Sequence, residues 1–251
     1  PDVAFMQYGG KTWLTIALGS GYRTHPLNTN TKDRFYVLLD PNVYNEVPNT
    51  FVPLTNNDLT AARNSQGLPN NFSLLDGVTK GWYYDLPNNG EKVLAPAVTF
   101  LNKAIFTTFA PVDEKGQGPS TDPCAMPPNS ARAYVLNLLT GRAVADLDDN
   151  TASGLSSKDD SVIAGINEIL SSAQIVFRAP ESIALDANNN RTCTANDCRQ
   201  TVEIHIGKVN LPVMDETNGA LNGNTVQAIA ESVDLTDILP RIFWRDQDVG
   251  R

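Results

Sequence analysis

An apolar run at 13–18 stops at Gly19-Ser20-Gly21, and a second run starts at Phe35 and ends at Asp40-Pro41-Asn42. Glycines tolerate positive φ, and the residues between the runs are polar, so the segment reads as strand, turn, strand. The pattern recurs. Val3-Ala4-Phe5 precedes Gly9-Gly10 and then 13–18; 97–100 precedes Asn102-Lys103 and then 104–109; 162–166 precedes Ser171-Ser172 and then 173–177. Each pair is followed by a polar excursion and a further apolar run, at 35–39, 133–138 and 202–206. Three recurrences of short strands with Gly and Asn turns predict an all-β chain, a partial β-propeller whose blades are small antiparallel sheets. A β-sandwich is the alternative.

The units begin at 3, 97 and 162, hence 94 and 65 residues apart, where a regular blade takes ~40–50. Long insertions are therefore expected, at 45–80, 111–130 and 210–239. Within the first, a short helix over 58–63 would be capped by Asn57. The apolar positions of 221–239 suit either a helix or an irregular strand. The whole chain, 1–251, is expected to be one incomplete propeller domain. Its blade cores fall near 3–40, 92–140 and 161–207, with a closing segment at 240–246. Pro1-Asp2-Val3 opens inside a strand-like run, which reads as a piece of a longer protein.

The formal charge is −9, from 19 Lys+Arg against 28 Asp+Glu, and lacks the clustered basic residues of a nucleic-acid footprint. No apolar stretch reaches the ~18 residues that span a bilayer as a helix. Cys193 and Cys198 bracket Thr194-Ala195-Asn196-Asp197. The expectation is a local disulfide in an oxidising compartment, with a pair of free thiols as the alternative. Cys124 has no partner near it in sequence.

Two loops are candidates for Ca²⁺. Asp146, Asp148 and Asn150 alternate as oxygen ligands at positions 1, 3 and 5, although Thr151 stands where a sharp-turn glycine belongs. In the second loop Asp186, Asn188, Asn190 and Asp197 fall at positions 1, 3, 5 and 12, with Arg191 in the glycine position. The plain alternatives are a solvated acidic turn and an Asx-rich turn. Catalytic patterns are sparse. Ser20 sits in Gly19-Ser20-Gly21, but a nucleophile elbow needs Gly-x-Ser-x-Gly between strand and helix. His25 has no base–orienter pair in sequence, and the expectation is that the chain is not an enzyme.

The segment Gly19-Ser20-Gly21-Tyr22-Arg23-Thr24-His25-Pro26-Leu27, followed by Asp33-Arg34-Phe35-Tyr36, resembles the propeller of the PilC/PilY family of type IV pilus-associated adhesins. So do Gly81-Trp82-Tyr83-Tyr84-Asp85-Leu86-Pro87, Gly90-Glu91-Lys92-Val93-Leu94 and Phe106-Thr107-Thr108-Phe109-Ala110-Pro111. The closing Arg241-Ile242-Phe243-Trp244-Arg245 is similar to the end of these proteins. The residues carrying the resemblance are thus Gly19, Gly21, Tyr22, Arg23, His25, Pro26, Arg34, Trp82, Asp85 and Trp244. It implies the C-terminal blades of a larger propeller, the remaining blades coming from an N-terminal segment or a separate chain.

The resemblance further implies a non-enzymatic adhesin and pilus biogenesis factor, exported through the periplasm to the bacterial surface, at the pilus tip or outer membrane. Minor pilins and a surface receptor would be its partners, and calcium its cofactor. No Arg-Gly-Asp triplet is present, so integrin-type binding is not carried over. A quinoprotein-like dehydrogenase is the rival from another class, but the three tryptophans (Trp13, Trp82, Trp244) are out of register with the repeats and no Cys-Cys pair occurs. A purely structural envelope scaffold is a third reading.

Overall fold

The structure, a computed structural model, describes residues 1–43, 50, 52–65, 67, 69–70, 80–111, 129–144, 147, 160–166, 168–178, 184–185, 191–192, 200–206, 209–211 and 231–233. Among these the chain is all-β, with several antiparallel sheets, none closed into a barrel, and no α-helix.

Sheet 1 is built from β1 (Asp2–Tyr8), β2 (Lys11–Gly19), β3 (Arg34–Asp40), β4 (Thr60–Ala61) and β5 (Gly81–Asp85), in the order β1-β2-β3-β5-β4. β1 to β5 form an antiparallel meander, and β4 adds a short parallel edge to β5. Sheet 2 comprises β6 (Val98–Phe100), β7 (Lys103–Ala110), β8 (Ser130–Asn137) and β9 (Ser161–Ile166), a second four-stranded antiparallel meander.

The two meanders start alike. β1 and β2 are joined by Gly9 (φ 60°) and Gly10 (φ 73°), β6 and β7 by Leu101 (φ 47°) and Asn102 (φ 57°). Two residues at positive φ give a connection whose twist matches that of the flanking strands.

Both fourth strands depart from the sequence expectation. Residues 162–166, expected to open a third blade, pair with β8 and complete sheet 2. Gly81–Asp85, outside the expected blade core at 3–40, pairs with β3 and completes sheet 1. Apolar alternation marks each segment as a strand but is silent on its partner, and the long connections before these two strands hide the pairing. The expected helix over 58–63 is also absent. Asn56–Asp58 form one 3₁₀ turn, in which the Asp58 carboxylate accepts from the Thr55 N–H at 2.7 Å and hydroxyl at 2.8 Å. The Ala62 N–H is then donated to the Tyr83 carbonyl at 2.7 Å, drawing the chain into the sheet edge.

Sheets 1 and 2 belong to one compact unit, 1–174 with 205–209, and pack face to face through aromatic side chains. Phe35 stacks on Phe106 at 3.8 Å, Phe106 on Tyr134 at 4.8 Å, and Tyr84 meets Tyr134 edge-on at 5.7 Å. Around them Trp82, Val37, Leu39, Ala104 and Leu136 complete a buried core. Consecutive meanders packed in this way match neighbouring blades of a partial propeller.

A second unit takes in 175–204 and 210–251. Strands β10 (Gln174–Arg178), β13 (Gln200–Ile206) and β14 (Val209–Leu211) form one sheet, with β15 (Glu231–Val233) on β13. β11 (Ala184–Leu185) pairs with β12 (Arg191–Thr192). The described part of 221–239 is therefore a strand. The closing segment 240–246 lies outside the described residues.

Candidate functional site

The residues that carry the family resemblance converge on the connection between β2 and β3, residues 20–33. Its ends are closed by backbone and side chain together. The Ser20 N–H is donated to the Arg34 carbonyl, the Arg34 N–H to the Ser20 hydroxyl, and that hydroxyl to the Asp33 carboxylate, each at 2.8 Å. Asp33 and Arg34 thus hold Ser20 in the base of the loop. His25 instead donates its backbone N–H to the Tyr22 carbonyl (3.1 Å), with its ring 4.9 Å from that of Tyr22.

The loop is fixed against 90–94, which acts as a staple between the sheets. On one side the Val93 N–H is donated to the Ser20 carbonyl at 3.0 Å, and Arg23 Nη1 to the Leu94 carbonyl at 2.8 Å. On the other, Lys92 exchanges both backbone hydrogen bonds with Phe109 at the end of β7, at 2.9 and 2.8 Å. Extended backbone sends successive side chains to opposite sides. Glu91 therefore enters sheet 2, accepting at one oxygen from the Thr108 hydroxyl (2.5 Å) and the Tyr134 phenol (2.8 Å), and at the other from Asn88. The Lys92 ammonium points into the loop, donating to the Asn28 carbonyl and to the Gly90 carbonyl at 2.6 Å.

Both side chains are fully buried. Burial pushes the Lys92 ammonium below the ordinary lysine value, against the opposing pull of Asp33. The close approach also explains a glycine. A Cβ on Gly21 would lie 2.8 Å from the Val93 carbonyl oxygen and 2.9 Å from Lys92 Cβ.

The other motif residues are placed by the sheets. Arg34 and Asp85 face one another across β3 and β5, with Nε donating to the carboxylate at 2.6 Å and the guanidinium 4.6 Å over the Tyr83 ring. Trp82 is fully buried and donates Nε1–H to the Leu138 carbonyl at 2.9 Å, tying β5 to the end of sheet 2. Exposed on the held loop are Tyr22 (61%) and Leu27 (50%). Apolar side chains offered to solvent by a loop with fixed ends make a recognition surface.

A second polar group was not anticipated from sequence. Asp160 accepts from Arg63 and from the Tyr84 phenol (2.8 Å), and its backbone carbonyl accepts from Val135 at 3.1 Å. In sequence Asp160 reads only as an acid too late for the calcium loop that starts at Asp146. A lone acid abutting the β-branched run that begins at Val162 was the available signal.

The remaining site residues, Asp146, Asp148, Asn150, Asp186, Asn188, Asn190, Asp197, Cys193, Cys198 and Trp244, lie outside the described residues. Among the described residues no group of three or more His, Cys, Asp or Glu is arranged to hold a metal.

One consequence is directly measurable. Lys92→Met keeps the apolar stem and leaves the Asn28 and Gly90 carbonyls without their ammonium donor, with an expected loss of about 1–3 kcal/mol. Hydrogen exchange at the Asn28 and Asn30 amides should accelerate with it; unchanged exchange there would show that the ammonium does not hold the loop.

The described residues thus define an all-β chain of stacked antiparallel meanders with a stapled loop at their junction. No protein-family model matches the chain, and no curated protein matches it. Among solved structures, the Pseudomonas aeruginosa PilY1 C-terminal domain aligns with a TM-score of 0.45 and 14% identity, covering 83% of this chain and 43% of that one. The chain spans less than half the length of that domain.

Proposed function

We propose that this chain is the C-terminal propeller part of a non-enzymatic, type IV pilus-associated adhesin and pilus biogenesis factor. It is exported through the periplasm to the pilus tip or outer membrane, contacts minor pilins, and influences pilus extension, retraction and attachment. One observation supports the reading above others. Residues singled out only by the resemblance (Gly21, Arg23, Arg34, Asp85 and the 90–94 segment) are mutually engaged around one loop that offers Tyr22 and Leu27 to solvent. Chance matches scattered along a chain have no reason to meet.

The test is complementation of a deletion strain with the wild type and with Tyr22→Ala/Leu27→Ala. Both replaced side chains are at least half exposed, so the double variant should keep its stability within about 0.5 kcal/mol per substitution. It should restore surface pili and twitching but not attachment. A deletion strain with normal piliation, twitching and attachment sinks the proposal. Calcium binding by the 146–150 and 186–197 loops belongs to the same proposal: millimolar Ca²⁺ should raise the melting temperature, and no shift would dispose of both loops.

A further inference from the structure

Sheet 1 is apolar on both faces. Alternation along its strands sends Trp13, Ala17, Phe35, Val37, Trp82 and Tyr84 into the core. The opposite face carries Val3 and Phe5 of β1, Ile16 of β2, Tyr36 and Leu38 of β3 and Tyr83 of β5. The pairing aligns these across the sheet: Val3 opposes Ile16, Ile16 opposes Leu38, and Tyr36 opposes Tyr83. Val3 and Phe5 are 55% and 66% exposed, and the other four are half-buried. Polar groups on this face stand at its rims, with the Gln7–Thr12 hydrogen bond at one end and the Arg34–Asp85 pair at the other. An antiparallel sheet with one solvated face carries polar residues across that face, not only around it.

Sheet 2 supplies the comparison. Its central strand β7 is buried on both faces from Ala104 to Ala110, and on the face away from sheet 1 the Thr107 hydroxyl is donated to the Ser171 carbonyl at 3.2 Å. Two neighbouring meanders are apolar on both faces; one has both faces covered and the other has one.

We infer that the second face of sheet 1 seats another antiparallel β-sheet, one with an aliphatic and aromatic packing face, supplied by polypeptide outside residues 1–251. The inference rests on the partial-propeller reading and is independent of what the protein does at a pilus. The face is flat and four strands wide, with residues in rows across the strands, the geometry that receives sheet 2 on the other side. A second copy of this chain fits it less well, because each copy carries a net charge of −9 and like charge opposes pairing.

Hydroxyl-radical footprinting tests this on the protein isolated intact from its cells, with the 251-residue chain as reference. Phe5, Tyr36 and Tyr83 should oxidise about tenfold more slowly in the intact protein, as side chains at a close-packed interface do. Tyr22, on the loop, should oxidise equally in both. Equal oxidation of the three face residues in both preparations overturns the inference. Protection in the 251-residue chain that grows with concentration and accompanies a doubled mass makes a second copy the occupant and also overturns it.

A Val3→Asp/Phe5→Asp variant gives a second measurement. It should leave the melting temperature of the 251-residue chain unchanged and lower that of the intact protein. The same shift in both, or none in either, counts against the inference. Neither readout involves pili, so failure here and failure of the adhesin proposal remain separable.

Discussion

Arg63→Met is expected to destabilise the chain by about 3–5 kcal/mol, the usual result of removing one partner of a buried ion pair. The Arg63 and Asp160 side chains are only 10% and 2% exposed, so the orphaned carboxylate has no water to turn to. Its remaining side-chain partner described above is the Tyr84 phenol, itself pushed well above the ordinary tyrosine value by burial and by Asp160.

The pH dependence has a definite sign. Burial raises the Asp160 carboxyl above the usual carboxylate range, outweighing Arg63 and the hydrogen bonds from Tyr84 and Ser161. A carboxyl raised on folding favours the folded state below its unfolded value, and that contribution is lost as pH rises through the folded value. Without Arg63 the carboxyl rises further, so the variant's deficit should be largest near pH ~8 and shrink toward pH ~5. Adding Asp160→Asn should recover much of the loss at the higher pH. Urea unfolding of the three proteins at both pH values reads this out. A deficit below about 1 kcal/mol that does not change with pH would mean that the pair behaves like a solvated surface bridge.

Trp82→Ala should cost a similar amount, about 3–5 kcal/mol from the lost burial and the cavity left behind. The site has little room to collapse. Gly141, at φ 62°, approaches so closely that a Cβ there would lie 3.0 Å from the Trp82 ring and 2.7 Å from Ala62 Cβ. Phe35 closes the ring from another side, with its centroid 6.0 Å away. Trp82→Phe restores most of the volume but leaves the Leu138 carbonyl unpaired, and should retain a deficit of about 1–3 kcal/mol. The difference between the two variants separates packing from the hydrogen bond. Denaturant midpoints followed by circular dichroism suffice; equal midpoints for both would show that the ring contributes only through Nε1.

Much of the strand content was legible because a half-buried strand must alternate and a tight hairpin must have residues at positive φ. Gly9-Gly10 and the alternation of 13–18 and 35–39 announced β1, β2 and β3. Leu101-Asn102 did the same job for β6 and β7 with less obvious residues. Partner choice was not legible. Nothing local to 162–166 says that it closes sheet 2 and does not open a third blade, because pairing is a contact between segments far apart in sequence.

The site divides along the same line. The identity of the motif residues was read from sequence, including Arg34, Asp85, Arg23 and Gly21. Their roles were not: Arg34 with Asp85 and Arg23 with Leu94 meet across 51 and 71 residues of chain. Glu91 and Lys92 look in sequence like a solvated charge pair between Gly90 and Val93. Only the extended backbone, stapled between two sheets, sends one into each and buries both.

By itself, then, the order of residues determined which segments are strands, where the turns lie and which face of each strand is apolar, since those properties follow from φ preferences and a two-residue period. The tertiary structure decided which strands share a sheet, which charges are buried in pairs, and that sheet 1 is left with a second apolar face. Those outcomes depend on free energies summed over contacts between distant segments, which no local stretch of sequence contains.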